Sequence, residues 1–301
     1  KMIEWFEEQY PQYPILPPDP LQRFLCHLLE DWADEWWWRP AMHYRWHYGE
    51  GARFASYHLA NELLGSIPLP GWLKRLYLQQ RQRSGYTTGD GISRATVVGV
   101  ESDVAQLWQQ LEDMLSRQPY LLGERPSLAD IAFAGPVFRH FALDPVPLEL
   151  LRQQAPSVLE WVVRLWNARM DNMSGEWPEC IPEGVTALLE HMGRGYLPYL
   201  SANVEAVRAG ATRFSVEVDS VRYEGARYSR YRVWCLQRLR EHFDVLPTNA
   251  KSAAEALLKT TGCWEPLWRD RDLPLLEGQE QGLPFRGDTK MVGVNESLLK
   301  R

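Results

Sequence analysis

The sequence predicts an all-α protein with one small β-hairpin in its last third. Over most of the chain, apolar residues recur at spacings of three and four, which is the pattern of a helix with one buried side. Capping residues such as Asp19 and Ser127 stand directly in front of such stretches. Alternation of apolar and polar residues is clear only near Val216 and Val221. We therefore expect a helical bundle, followed by a segment that contains the hairpin and further helices.

The first long helix is predicted to begin at Asp19-Pro20. An N-cap carboxylate is followed there by a proline at the first helical position, where its missing N–H costs nothing. We expect this helix to continue to about residue 48. Trp36, Trp37 and Trp38 point in three directions on a helix, so neighbours should enclose most of its circumference there. Further helices are predicted at 52–64, 72–83, 100–117, 128–141, 147–154 and 156–170.

The helix predicted at 128–141 has the strongest start signal in the chain. Ser127 is its N-cap and Asp130 its third residue, a variant of the capping box in which each side chain bonds to the other residue's backbone N–H. The positions that follow are almost wholly apolar, although Gly135 and Pro136 lie among them. We expect this helix to occupy the centre of the bundle.

The character of the chain changes after Asp171. Residues 173–182 are predicted to form a loop, and the tail from Gly278 to be loosely held. The regular elements predicted in this part are a helix at 184–208 that is interrupted near Gly195, the hairpin at 214–223, and helices at 230–243 and 250–261.

Composition and charge limit the classes of protein to which the chain can belong. The 301 residues are 45% hydrophobic and 24% charged, which is typical of a soluble globular chain. The net charge of −6 argues against a nucleic-acid partner, and no apolar run is long enough to cross a membrane. Four cysteines without a Cys-x-x-Cys pair indicate a reducing compartment, so we expect a cytoplasmic protein. Because the chain opens in a helical pattern without an initiating Met, we expect a truncated N-terminus.

Two patterns suggest a ligand, and neither is complete. The Gly-Asp-Gly of 89–91 resembles the start of a dinucleotide fingerprint, but Arg94 replaces the last glycine and no strand precedes it. His43 and His47 lie one helical turn apart, yet no third metal ligand stands at a diagnostic spacing. The alternative for both histidines is a polar cleft or an aromatic interface. We therefore predict neither nucleotide nor metal, and keep a metal-binding helical protein as a third hypothesis.

Glu30, Asp31, Asp34 and Glu35 form an acidic cluster that we expect in the early part of the first long helix. Carboxylates in an early turn interact favourably with the helix dipole, so one interpretation is capping and solubility. The other interpretation is recognition of an ammonium group across a dimer interface. The residues alone leave both open.

The stretch 119–131 resembles the helix-starting segment in the carboxy-terminal domain of glutathione transferases. The matching residues are Gly123 and the Ser-Leu-Ala-Asp of 127–130, which in that family form the box that starts the central helix and have a folding role. Residues 3–11 resemble the last helix of the family's thioredoxin-like domain, and 17–20 the inter-domain link. Similarity to a little-characterised bacterial branch extends over 29–36, 43–46, 199–203, the hairpin and 235–240.

The resemblance implies a domain organisation. Residues 1–18 would be the end of the thioredoxin-like domain with its linker, 19–171 the helical domain, and 172–301 an extension. Family members bind glutathione, their co-substrate, mainly through the thioredoxin-like domain, where a Ser, Tyr or Cys stabilises or replaces the thiolate. Because that domain is missing here, no residue of this chain is expected to be catalytic.

The resemblance also implies what the helical domain does. In the family it supplies an apolar pocket for a small electrophile and much of a homodimer interface. We therefore expect the carboxy-terminal part of a transferase-like protein, inactive alone, with a non-catalytic scaffold for other proteins as the alternative. By elimination, the pocket candidates are Trp38, Met42, His43 and Trp46, which lie along one stripe of the first helix. Core packing against the next helix is the competing interpretation of this stripe.

Overall fold

The structure is a computed structural model that describes residues 2–169, 175–269 and 272–273. Helices make up most of it. The strands β1 (Arg213–Val218) and β2 (Val221–Arg227) pair as one antiparallel hairpin. The predicted all-α architecture with a small hairpin in a later segment is confirmed. The helices are α1 (Met2–Gln9), α2 (Pro20–Trp36), α3 (Trp38–His47), α4 (Gly49–Leu63), α5 (Gly71–Tyr86), α6 (Val97–Leu115), α7 (Leu128–Pro136), α8 (Pro145–Gln154), α9 (Pro156–Trp166), α10 (Gly184–Arg194), α11 (Tyr196–Arg208), α12 (Arg230–Asp244), α13 (Thr248–Thr260) and α14 (Trp264–Trp268).

The prediction of one helix from residue 20 to about 48 is wrong, because the chain breaks at Trp37. Pro40 has no N–H, and a proline ring within a helix clashes with the carbonyl group four residues earlier, here that of Trp36. Trp37 therefore ends α2 and precedes α3. Trp36 and Trp37 are 3% and 0% exposed, which confirms the enclosure predicted for them, whereas Trp38 is half-buried.

Helix α7 begins with the predicted capping box. The Asp130 carboxylate accepts a hydrogen bond from the Ser127 N–H at 2.9 Å, and the Ser127 hydroxyl accepts one from the Asp130 N–H. The α-helix ends at Pro136, whose missing N–H removes a helical bond, and the chain widens into a π-helical turn (Val137–Phe141). The predicted span of 128–141 is thus helical throughout, in two geometries.

Only one side of α7 is buried at the centre of the bundle, the position expected for the whole helix. This inner side packs along α2, which encloses Ala129 and Phe133 completely. Ile131 on the outer side is 47% exposed, with Ala134 and Phe138 half-buried near it. The outer side of the helix therefore faces an open apolar groove.

Helices α4 and α5 form a helical hairpin that packs on α3 and α8. Helix α4 begins at Gly49, three residues before the predicted start at residue 52. A Cβ atom on Gly51 would lie 2.9 Å from the carbonyl oxygens of Tyr44 and Arg45. The absence of a Cβ atom at Gly51 lets the first turn of α4 pass close to the end of α3.

The segment from residue 175 onward covers the bundle. Helix α10 packs on α6 and α12 packs on α2. One continuous hydrophobic core contains Leu28 and Trp161 of the bundle together with Leu197 and Leu236 of this later segment. The predicted interruption of the helix at 184–208 is observed at Gly195. Helix α14 was not predicted, because five residues are too few to show a helical period.

The hairpin turn consists of Asp219 and Ser220, whose φ angles are 47° and 63°. A two-residue turn with positive φ at both positions has the twist that antiparallel strands require. Val218 pairs with Val221 across this turn, and Val218 is buried. No helix in the part of the chain that the structure describes is long and apolar enough to cross a membrane. Residues 170–174 and the tail from Gly278 lie outside the described residues.

Candidate functional site

The predicted pocket residues Trp38, Met42 and Trp46 lie at the seam between α3 and α4. Together with Ala52 and Ala55 they form a small hydrophobic cluster separate from the main core. Met42 and Trp46 are 8% and 1% exposed, and the half-buried Trp38 ring contacts Tyr86 edge-on. The three side chains fill the space between two helices, in agreement with the packing interpretation. Their role in substrate binding stays a prediction.

His43, the fourth pocket candidate, contacts a different helix. Its Nε2 lies 2.8 Å from Glu101 Oε1 on α6, and the same oxygen accepts a hydrogen bond from the Tyr48 hydroxyl at 2.6 Å. Burial lowers the pKa of His43, although Glu101 acts in the opposite direction. The His47 ring stacks on His43 with ring centres 4.7 Å apart. Within the described ranges, no group of three or more His, Cys, Asp and Glu side chains is arranged to hold a metal ion.

The four clustered carboxylates of Glu30, Asp31, Asp34 and Glu35, here called the acidic seam, lie in the last turns of α2. Because α2 ends at Trp36, they stand at its carboxy-terminal end, where negative charge opposes the helix dipole. The capping interpretation is therefore wrong.

The acidic seam is in contact with the later segment of the chain. The Tyr196 hydroxyl donates a hydrogen bond to Asp31 Oδ2 at 2.6 Å, and Arg232 Nε lies 3.8 Å from Glu35 Oε2. Burial raises the pKa of Glu30 to about 8, and the three neighbouring carboxylates act in the same direction. Burial likewise raises the pKa of Glu35 to about 7, against the attraction of Arg232. Burial thus favours the protonated forms of Glu30 and Glu35 in the acidic seam.

Arg39 occupies a second buried polar site that sequence analysis missed. Its guanidinium carbon lies 4.8, 4.4 and 4.7 Å from the ring centres of Trp36, Tyr199 and Tyr223. Its Nη2 donates to the Asp90 carbonyl oxygen at 2.8 Å. These partners come from α2, α11, β2 and the turn before α6, so Arg39 joins the bundle to the later segment. An Arg-Pro pair in a tryptophan-rich stretch was the only local sign of it.

A third unpredicted site is centred on Asp103. One carboxylate oxygen accepts from the Trp36 indole N–H at 3.0 Å, and the other lies 2.5 Å from His191 Nε2. The second ring nitrogen of His191 is 2.9 Å from Gln110 Oε1. Every polar atom of this histidine therefore has a partner, so we interpret the network as a positioning device for α10 on α6.

An apolar groove of about 320 Å³ runs along the outer side of α7. Its walls come from α7, the π-helical turn, α9 and the linker before α2, and include Ile15, Ile131, Phe138, Val162, Leu165 and Trp166. Trp166 is 71% exposed. Asp34 of the acidic seam approaches α7, the helix that lines the groove, because its Oδ1 is 3.7 Å from the point where a Cβ atom on Gly135 would stand. Neither Asp34 nor Gly135 lines the groove itself.

Changing Glu30 to Gln is expected to flatten the pH dependence of stability. The folded protein holds the Glu30 proton up to about pH 8, whereas the unfolded chain releases it near 4.5, so the free energy of unfolding falls as pH rises between these values. Burial lowers the pKa of His27 to about 3 and that of His242 to about 4. These two histidines therefore make the free energy of unfolding increase with pH only below about pH 6.5, the pKa of a histidine in the unfolded chain.

Between pH 6.5 and 8, urea titrations should therefore show a loss of about 1–2 kcal/mol for the unchanged protein and a smaller loss for Glu30→Gln. The control is Glu160→Gln, an exposed carboxylate on α9. Identical pH profiles for all three proteins would contradict the raised pKa of Glu30.

A family model described as the carboxy-terminal domain of glutathione S-transferase matches residues 84–168. The match covers α6 to α9, including the capping box and both helices that line the apolar groove. This part of the chain is therefore similar to the carboxy-terminal domain of glutathione S-transferases. Neither the search of curated proteins nor the search of solved structures finds a match to the chain.

Proposed function

We propose that the chain is the helical carboxy-terminal part of a glutathione-transferase-like protein, and that the apolar groove receives the lobe that binds glutathione. The observation that carries the proposal is the two-sided character of α7. Its inner side is buried in the core, whereas its outer side presents Ile131 to an open apolar groove that Phe138 of the π-helical turn and Trp166 of α9 also line. Exposed apolar surface of this kind marks an interaction site.

The position of the linker supports this assignment. The Leu128 N–H at the start of α7 donates to the Ile15 carbonyl oxygen at 2.8 Å, and Arg125 Nη2 donates to the Pro14 carbonyl oxygen at 3.1 Å. The segment between α1 and α2 is thereby fastened beside the groove. A lobe that precedes this linker would lie next to the outer side of α7.

For the acidic seam we propose recognition of an ammonium group across a dimer interface. Glutathione carries an α-ammonium group, and a carboxylate gives it a charge-assisted hydrogen bond. Asp34 lies beside α7, the helix whose outer side lines the groove, with its Oδ1 3.7 Å from the Cβ position of Gly135. Proton release from Glu30 on cation binding would make glutathione affinity increase with pH up to about 8.

The chemistry in this proposal is divided between two lobes. The residue that stabilises the thiolate belongs to the thioredoxin-like lobe, and this chain contributes apolar surface to the electrophile site. We accordingly propose that the chain alone has no transferase activity. We also propose that the complete protein is a cytoplasmic homodimer, and sedimentation analysis would measure the mass of this dimer.

Adding a thioredoxin-like lobe is expected to create activity. The coding sequence upstream of Lys1 should encode alternating strands and helices with a Ser, Tyr or Cys after the first strand. Co-expressed with this chain, that lobe should conjugate glutathione to chlorodinitrobenzene, while either part alone should not. Ile131→Asp combined with Trp166→Asp should lower the conjugation rate about tenfold or more, because charges in the groove oppose burial against the second lobe.

The matched control changes two apolar residues that do not line the groove. Leu143 and Val163 are 51% and 61% exposed, and both changed to Asp should leave the rate within a factor of two or so of the original. Binding of the second lobe without conjugation activity would favour the scaffold alternative. Unchanged activity in the groove variant would exclude the groove as the docking site.

A further inference from the structure

The α4–α5 hairpin exposes large apolar side chains at its end, which we call the hairpin tip and define as residues 63–77. Leu63, Leu69, Trp72, Leu76 and Tyr77 are each between 52% and 60% exposed. Ile67 and Leu73 are exposed as well, at 40% and 37%. Soluble monomers rarely expose so many neighbouring apolar residues, and such a surface marks a contact with another molecule.

The contacts that hold the hairpin lie at its base. Leu78 is 2% exposed, Gln79 Nε2 donates to Ser56 Oγ at 3.0 Å, and Arg83 Nε donates to the Trp46 carbonyl oxygen at 2.9 Å. In the tip, Pro68 and Pro70 restrict the backbone of the turn. The base thus fixes the hairpin on the bundle, and the tip is presented to its surroundings in a restricted conformation.

The charge of the hairpin is opposite to that of the whole protein. Between Glu62 and Asp90 the sequence has no acidic residue, but it has the cations Lys74, Arg75 and Arg81 in addition to Arg83 at the base. The protein as a whole carries a net charge of −6. A cationic region with exposed aromatic and aliphatic residues fits an anionic partner that also offers apolar contact.

The order of side chains along α5 distinguishes between two candidate partners, an anionic bilayer and a second copy of the chain. Trp72, Leu73, Leu76 and Tyr77 form an exposed stripe, and Arg81 follows one turn beyond it. The stripe covers about one and a half turns, and Lys74 and Arg75 lie on the other side of the helix, the arrangement of amphipathic helices that lie in the membrane interface. Trp and Tyr at the border are typical of the membrane interface.

A second copy of the chain fits the same surface less well. A two-fold contact brings the same patch of both subunits together, so the cations of one tip would face those of the other. Like charges brought together in this way are unfavourable. An anionic bilayer instead pairs the cations with phosphate groups and buries the apolar side chains.

We propose that the hairpin tip docks on the surface of an anionic phospholipid bilayer, with Trp72 and Leu69 among the lipid headgroups and Lys74 and Arg75 on their phosphates. Surface docking of this kind needs no membrane-spanning helix. It goes beyond the proposed function and does not depend on it, because the tip lies outside the groove and the acidic seam. The protein would carry its helical domain to the membrane surface.

Vesicle flotation with the full chain tests the proposal. Phosphatidylcholine vesicles that contain about a third phosphatidylglycerol should carry the protein upward at about 0.1 M salt, and pure phosphatidylcholine should carry at most a tenth as much. Leu69→Glu combined with Trp72→Glu should reduce binding tenfold or more. Lys74→Glu combined with Arg75→Glu should abolish the preference for anionic vesicles, since each basic residue contributes about fivefold.

The matched control is Val98→Glu combined with Val245→Glu. Both valines lie outside the hairpin and are 81% and 79% exposed, so this variant adds the same charge without changing the tip. It should float as the original protein does, and circular dichroism should show that all variants fold. The proposal would be overturned if the protein did not float with anionic vesicles. It would also be overturned if the control variant lost as much vesicle binding as the Leu69→Glu, Trp72→Glu variant. Sedimentation showing that the tip variant turns a dimer into a monomer, without lipid binding, would assign the tip to a dimer contact.

Discussion

Replacing Asp130 with Ala is expected to lower the free energy of unfolding by about 3–5 kcal/mol, the largest effect of any single change proposed for this protein. Asp130 is completely buried. Its Oδ1 accepts hydrogen bonds from the Leu121 N–H and the Trp161 indole N–H, both at 2.9 Å. Its Oδ2 accepts from the Ser127 N–H at 2.9 Å and from the Ser127 hydroxyl at 2.6 Å.

The cost arises because the donors remain buried after the acceptor is removed. Each unsatisfied buried donor costs about 1–3 kcal/mol, and the lost carboxylate leaves a cavity between α7 and α9. Burial raises the pKa of Asp130 while the hydrogen bonds counteract it, so the four donors are what make the site tolerable for a carboxylate. Ser127→Ala, which removes one partner, should cost only about 1 kcal/mol.

Urea unfolding followed by circular dichroism measures both variants. Asp113→Ala, a change at an exposed carboxylate on α6, is the control and should stay within about 0.5 kcal/mol of the original protein. If Asp130→Ala were as stable as this control, the hydrogen-bond network would not hold α7 in place as described. The role of Asp130 would then be confined to its capping bond.

Changing Arg39 to Met is expected to cost about 3 kcal/mol, because it removes one of the two buried guanidinium groups, those of Arg39 and Arg232, that attract the Asp90 side chain. Arg39 and Asp90 are 1% and 4% exposed, and Arg39 Nε lies 3.9 Å from Asp90 Oδ2. The aromatic rings of Trp36, Tyr199 and Tyr223 also lose their cation, which at a desolvated site contributes about 2 kcal/mol. Met retains most of the apolar stem, so the measured loss reports mainly the charge.

Hydrogen exchange adds a readout of where the structure loosens. Arg39 connects α3 to α11 and β2, so amide protons of β2 should exchange faster in Arg39→Met, whereas those of α7 should change little. Adding Asp90→Asn should restore part of the lost stability, since the buried charge is then removed. Arg152→Met, an exposed change on α8, is the control. No recovery in the double variant would show that the pair is not coupled.

Helix starts and the hairpin were predictable because their determinants are local. Asp19 Oδ1 accepts from the Gln22 N–H at 2.9 Å, three residues away, and the capping box of Ser127 and Asp130 has the same span. The β-hairpin turns through two adjacent residues, so alternation around residues 214–223 was sufficient to place it. The break at Trp37 was also a local feature, and it was missed because the helical spacing of apolar residues continues through Pro40.

The interpretation of the acidic seam depends on the residue at which α2 ends. The sequence predicts its four carboxylates as a cluster, but a helix that continues to residue 48 would have them in its early part. Once α2 ends at Trp36, the same residues lie at the end where the helix dipole disfavours them. The contacts of Asp31 with Tyr196 and of Glu35 with Arg232 join positions about 165 and 197 residues apart, which no pattern in the sequence encodes.

The sequence by itself determined the all-α class, the capping box that starts α7, the hairpin, and the cationic character of residues 63–89. These features depend on neighbours within a few positions, where side-chain chemistry and backbone geometry are directly coupled. The tertiary structure alone decided that α7 has an open outer side, that Arg39 is enclosed by three aromatic rings, and that the hairpin tip is exposed. Burial is the sum of contacts with distant parts of the chain, and the periodicity of a helix shows which residues share a side but not what covers it.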